Sequence, residues 1–251
     1  MTDIKARLEK HYARAIDQYG AEAVLGVFLY GSWNYNTNTP DSDVDTKCIL
    51  VPDVYHLAIK PYETKHLHIW PDSEEKDFEV CECMTIMHMV ANWKKQNINF
   101  VETLFTDYCI INPLYEAAWK ELMPMELREK IGRYNMRQAV NSMAHQALHT
   151  IRQDPADPKK IMNGIRIANT LSALLDTDKG YKECIWQDDK VRENRFREPS
   201  PVVVDALIYL FETRLADIDS VKQEVFAPGV DRQLEELILN FINIRTCALW
   251  Y

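Results

Sequence analysis

Apolar positions at helical spacing open the chain: Ile4, Leu8, Tyr12, Ile16 and Tyr19 fall on one face, and Gly20 supplies a C-terminal stop. The pattern predicts an amphipathic helix. Residues 23–30 (AVLGVFLY) are an unbroken apolar run, short enough for a strand buried on both faces. The run leads directly into Gly31-Ser32 and then WNYNTNTPDS, whose Asn, Thr, Pro and Asp predict a loop. Residues 44–51 (VDTKCILV), closed by Pro52, predict a second strand. Residues 65–70 and 77–83, on either side of the turn-like PDSEEK, predict a third and a fourth.

From Thr85 the period changes. Ile86, Val90 and Trp93 share a helical face, and Asn112-Pro113, Asp157-Pro158 and Ser200-Pro201 each join a capping residue to a first-turn proline. Residues 125–152 predict one long helix, 158–175 another, and 200–221 a third. The last segment places Leu234, Ile238, Phe241, Ile242, Arg245 and Leu249 at helical spacing. Strands fall in roughly the first hundred residues and helices in the rest. The expected fold is α+β: a sheet domain with helices over residues 1–123, then an all-helical domain over 124–251.

Composition bounds the class. With 251 residues, 47% hydrophobic and 27% charged, the chain can bury a full core. No run approaches the roughly 18 to 20 uncharged residues of a membrane helix, so no membrane partner is expected. The six cysteines are scattered without a CxxC pair, which suits free thiols and a cytoplasmic location. A net charge of −9 argues against wrapping a long nucleic acid. Basic charge is concentrated in residues 125–197, which carry 14 Lys/Arg against 10 Asp/Glu. An acidic half beside a modestly basic segment suits a metal site facing a triphosphate, and a solvated helix face would give the same pattern.

The candidate chemistry lies at the second strand. Asp43 and Asp45 are two apart, so a strand would project both carboxylates from one face while Val44 turns into the core. Two like charges held that close repel unless a cation joins them, which points to a divalent metal ion as cofactor. Gly31-Ser32 ends the preceding strand. Glycine lets backbone approach a phosphate, and the serine hydroxyl with neighbouring amides can donate to its oxygens.

YGS followed by DSDVDTKCILVP resembles the signature of the DNA polymerase beta-like nucleotidyltransferases, an apolar strand with GG or GS, a short spacer, then Asp-apolar-Asp. It is closest in pattern to the bacterial and phage group that includes RNA-ligase-associated members. QNINFVETLF (residues 96–105) is similar to a later element of that group, with Ile98 in place of proline. KKIMNGIRIANTLSALL is similar to its helix bearing a Lys and an Arg, with Asn163 in place of His. The resemblance implies a mixed sheet of up to about five strands with helices behind it. It implies two Mg²⁺ (or Mn²⁺) ions held by Asp43, Asp45 and a third carboxylate, and transfer of a nucleoside monophosphate from an NTP to a hydroxyl. For the third carboxylate, KDFEVCEC offers Asp77, with Glu79 next, on one strand face and Glu82 on the other.

Further nucleotide-binding candidates are Lys47, which should share the face of Asp45, and Lys159, Lys160 and Arg166 near a helix N-terminus. A salt bridge to an aspartate is the plain alternative for Lys47, and surface charge for Lys159. Asp41 suits a turn cap as well as the acidic cluster. His145 and His149 have metal-compatible spacing without the glutamate of HExxH, and Cys81 with Cys83 fits buried thiols better than zinc. Trp33 and Tyr35 could stack on a base or simply pack over the sheet. The expected activity is NTP-dependent nucleotidyl transfer to an RNA end, a protein or a small molecule. The competing expectation is an inactive nucleotide-binding or protein-interaction module of the same fold.

Overall fold

The computed structural model describes residues 4–59, 64–69, 79–175, 178–222 and 227–249. Helix α1 (Ile4–Tyr19) buries Leu8, His11 and Ala15, one inward stripe at helical spacing, and ends at Gly20, whose φ of 86° favours glycine. Strand β1 (Val24–Tyr30) runs antiparallel to β2 (Asp45–Leu50), with Tyr30 opposite Asp45 and Phe28 opposite Lys47. The short helix α2 (Val54–Ala58) is capped by Asp53, which accepts the His56 amide at 2.8 Å. Strand β3 (Lys65–Ile69) and strand β4 (Glu79–Thr85) pair antiparallel, whereas β4 and β2 pair parallel, with Lys47 beside Glu82.

Thr85 ends β4 and also caps α3 (Ile86–Lys94), accepting the His88 amide at 3.3 Å. Helix α4 (Ile98–Val101) leads into a 3₁₀ turn, Glu102–Leu104, and then β5 (Cys109–Ile111), which pairs antiparallel with β1. The five strands take the order β3-β4-β2-β1-β5, a mixed sheet. Strand β5 falls outside the four strands predicted, because three residues are too few to show a period. Gly26 accommodates it: a Cβ there would stand 2.6 Å from the Ile110 carbonyl oxygen.

The rest of the chain is helical: α5 (Pro113–Leu122), α6 (Met125–Gly132), α7 (Met136–Gln153), α8 (Pro158–Leu174), α9 (Tyr181–Ile185), α10 (Asp189–Glu193), α11 (Pro201–Ala216) and α12 (Ala227–Ala248). The single helix expected over 125–152 is thus two. Gly132, a poor helix former, lies where any Cβ would meet the Tyr181 ring at 2.6 Å, and Asn135 starts a new helix by accepting the Gln138 amide at 3.0 Å. The caps at Asn112 and Asp157 form as expected, each side chain accepting an amide two residues on. No described helix is long and apolar enough to cross a membrane.

Side-chain alternation divides the sheet between two cores. On one face Val27, Leu29, Val44, Cys48, Cys81 and Cys83 pack against Leu8 and Ala15 of α1. On the other, Phe28, Ile49 and Met84 join a larger cluster that continues without interruption through Trp93, Trp119, Val140, Ile167 and Phe211 to Phe241.

Candidate active site

The register of β1 and β2 brings the two halves of the motif to one end of the sheet. Tyr30, the last residue of β1, lies opposite Asp45, the first of β2, so the Gly31 turn and the acidic pair are neighbours. Gly31 has φ of 89°, and its carbonyl accepts the Asn34 amide at 3.0 Å while the Ser32 carbonyl accepts the Thr37 amide at 3.0 Å. A left-handed glycine at the start of a tight turn can bring successive amides to one side, as in an anion-binding nest. Among the described residues the amides of Ser32 and Trp33 and the Ser32 hydroxyl have no protein partner. The Gly31 amide is already used: it donates to both carboxylate oxygens of Glu102 at 3.2 Å. The Trp33 indole N–H donates to the Asp43 carbonyl at 2.9 Å, tying the turn to the acidic pair.

Asp43 precedes the strand and is exposed; Asp45 is half-buried, and Val44 between them is fully buried toward α1. Burial raises the proton affinity of the Asp45 carboxyl, the charge of Asp43 raises it further, and His11, Lys47 and Lys159 pull it back. Lys159, in the first turn of α8, is thus the cation that the helical half directs toward the pair. Arg7 of α1 approaches from the other side. Burial lowers the pKa of its guanidinium, against the attraction of Asp43 and Asp45.

The third-carboxylate candidates separate. Asp77 lies outside the described residues. Glu79 is on the α1 face of β4, opposite the face of Asp45, and its oxygens are engaged. It forms an ion pair with Arg7, accepts from His11 Nε2 at 3.1 Å and accepts the Val44 amide at 3.3 Å. His11, fully buried, bridges onward to Thr46 Oγ1 at 2.8 Å. Glu82 shares the face of Asp45 but pairs with Lys47. Among the described residues no three His, Cys, Asp or Glu side chains converge to hold a metal ion.

The expected basic contacts are redistributed as well. Lys47 is 2% exposed, beneath the Tyr30 and Phe100 rings at 4.1 and 4.0 Å, so its ammonium answers Glu82 inside the fold and not a phosphate. Its ion-pair partner is this glutamate and not one of the aspartates. Lys160 turns to Asp154 at 3.6 Å. Arg166 is 4% exposed, stacked 4.0 Å from the Tyr35 ring and bonded to Asn163 Oδ1 at 2.7 and 2.9 Å. Tyr35 is likewise buried, so it packs under the turn and is not free to stack on a base.

Glu102, which the sequence offered only as part of FVETLF, sits at the centre of this layer. It is 0% exposed, holds the Gly31 amide and Asn34 Nδ2 (3.3 Å), and is pushed up to about 7, mainly by burial. The signal was an acid inside an otherwise apolar run. Arg7 and His11 carried a weaker one, a basic pair four apart with His11 inside the buried stripe of α1.

Together the site offers unpaired amides, a free hydroxyl, two adjacent carboxylates and one exposed lysine at one sheet end. Such a set can orient a polyphosphate and share a divalent cation with it. No family model and no curated protein matches the chain, so what the site does has to follow from its own residues.

Proposed function

We propose that this protein is a metal-dependent nucleotidyltransferase, moving a nucleoside monophosphate from an NTP to a hydroxyl acceptor. The observation that carries the reading is the Tyr30–Asp45 register, which sets the unpaired Ser32 and Trp33 amides beside Asp43 and Asp45. It supports the resemblance to DNA polymerase beta-like nucleotidyltransferases seen in the motif.

The donor set fits a hard divalent cation. Asp43 and Asp45 supply oxygen ligands only, and Asp45 has a charge destabilised by burial and by its neighbour, which a cation would relieve. Both aspartates would hold Mg²⁺ or Mn²⁺, whose chemistry is to offset charge on the triphosphate and on departing pyrophosphate. The protein's own groups do the rest. The Ser32 and Trp33 amides with the Ser32 hydroxyl orient phosphate oxygens, and Lys159 adds a cation from the helical side. The acceptor oxygen bonds to the α-phosphorus, the bond to the bridging oxygen breaks, pyrophosphate leaves, and the hydroxyl proton passes to solvent.

A second reading is favoured by one observation: Glu79 is committed to Arg7, His11 and Val44, so among the described residues the acidic pair has no third carboxylate. An inactive nucleotide-binding module would look the same. Incubation with each labelled NTP and Mg²⁺ or Mn²⁺, with and without an RNA pool, separates the two. Transfer lost in Asp43→Ala/Asp45→Ala supports the enzyme, binding without turnover supports the module, and transfer surviving in that variant overturns the mechanism.

A further inference from the structure

The Gly31 turn is held from beneath by a carboxylate. Glu102 reaches the turn from the 3₁₀ segment after α4 and grips the Gly31 amide with both oxygens and Asn34 Nδ2 with one. Asn34 Nδ2 also donates to the Leu29 carbonyl at 3.0 Å, so one amide side chain joins Glu102 to the end of β1. Protonation turns one carboxyl oxygen into a donor and a much weaker acceptor, so the two-oxygen grip on the turn loosens. The holding geometry belongs to the ionised form.

The groups around Glu102 are unevenly satisfied. The dipole of the Tyr35 hydroxyl, from the turn, and the charge of Arg166, from α8, both favour its ionised form. Tyr30 of β1 and Tyr181 of α9 also face it, and each has its own ionisation opposed by the Glu102 charge. Yet Arg166 Nη1 and the Tyr35 hydroxyl are buried without a hydrogen-bond partner among the described residues, the hydroxyl being beside Glu102 but not in bonding geometry. The layer has room to change its pairing when the carboxyl changes charge.

We propose that Glu102 is a positioning residue for the phosphate turn: ionised, it locks the Gly31 peptide so that the Ser32 and Trp33 amides face a triphosphate; protonated, it releases them. The inference rests on the triphosphate-site reading above. Burial places the Glu102 transition at about 7, within the working range of most cells and not at the acid extreme. The turn then gains or loses its grip on phosphate over a narrow span of pH.

The test uses the full chain and two readouts. The Gly31 amide resonance is followed from about pH 5.5 to about pH 8.5, and Mg²⁺-tripolyphosphate binding is titrated at both ends, in wild type, Glu102→Gln and Tyr35→Phe. The expected result is a Gly31 shift titrating near 7 in wild type, absent in Glu102→Gln, and moved to higher pH in Tyr35→Phe, which loses a group favouring the charge. Tripolyphosphate should bind wild type about ten-fold more tightly than Glu102→Gln at the high-pH end, with the ratio collapsing toward one at the low end. A Gly31 amide that does not titrate, or titrates alike in Glu102→Gln, overturns the proposal. A titrating Gly31 amide in a wild-type protein that binds no tripolyphosphate overturns the triphosphate reading and the phosphate half of this one, while establishing the coupling of Glu102 to the turn.

Discussion

Arg7 of α1 pairs with Glu79 of β4 on the face of the sheet away from Asp45, and the same glutamate accepts a bond from the buried His11. One carboxylate therefore fastens the first helix to a central strand.

Removing the cation should leave that carboxylate with only His11 and the Val44 amide. Arg7→Met is expected to cost about 3 kcal/mol, because a largely buried charge loses its guanidinium partner. Adding Glu79→Gln should recover part of the loss. Denaturant unfolding of the double-mutant cycle should give a coupling above about 1 kcal/mol; strict additivity would refute the strap.

If Asp43 and Asp45 bind a divalent cation, saturating Mg²⁺ should raise Tm by on the order of 5 °C, the shift set by ligand at about 100 times Kd in a chain of this size. The rise should vanish in Asp43→Ala/Asp45→Ala. An equal shift in that variant would place the cation elsewhere.

Stability should depend on pH through Glu102, whose carboxyl moves from an ordinary 4.5 to about 7 on folding. Below pH 4.5 it is neutral in both states. As pH climbs from there to about 7 the unfolded chain gives up the proton and the folded chain keeps it, so folding loses about 3 kcal/mol across that window and nothing more above it. Glu102→Gln has no such titration. Thermal scans should show the variant gaining on wild type between about pH 4.5 and about pH 7; parallel curves would be the contrary result.

The two adjacent lysines of α8 should behave differently. Lys159, exposed and acting on Asp45, should weaken Mg²⁺-NTP binding about ten-fold when changed to Ala, with little effect on Tm. Lys160→Ala loses only the 3.6 Å pair with Asp154 and should bind as wild type. Calorimetric titration of both variants settles the order.

Much of the fold was written in local pattern. The apolar run ending at Tyr30, the β-branched run closed by Pro52, and the caps at Asn112 and Asp157 each carry their own physical signature, and each formed where expected. What escaped was relational. The three residues of β5 become a strand only because β1 offers Gly26 to receive them, and the helix break after Gly132 depends on the Tyr181 ring, far along the chain.

The site divides in the same way. Spacing joined Gly31-Ser32 to Asp43 and Asp45, and parity along β4 separated Glu79 from Glu82. Which of those faces meets Asp45 depends on the parallel register of Lys47 with Glu82, a property of two strands that neither encodes alone. Burial of Glu102 beneath Gly31 was hidden for the same reason: the contact spans 71 residues of sequence.

Phe28 lies 5.2 Å from Trp119, and Trp119 stacks 6.3 Å from Phe241 of α12. The strand that presents the Gly31 turn is therefore backed, ring upon ring, by the last helix of the chain. Groups that would touch substrate come from residues up to Lys159, but their foundation is laid at the far C-terminal end. A truncation or swap of α12 would tilt the strand leading into Gly31 without altering a single residue of the site.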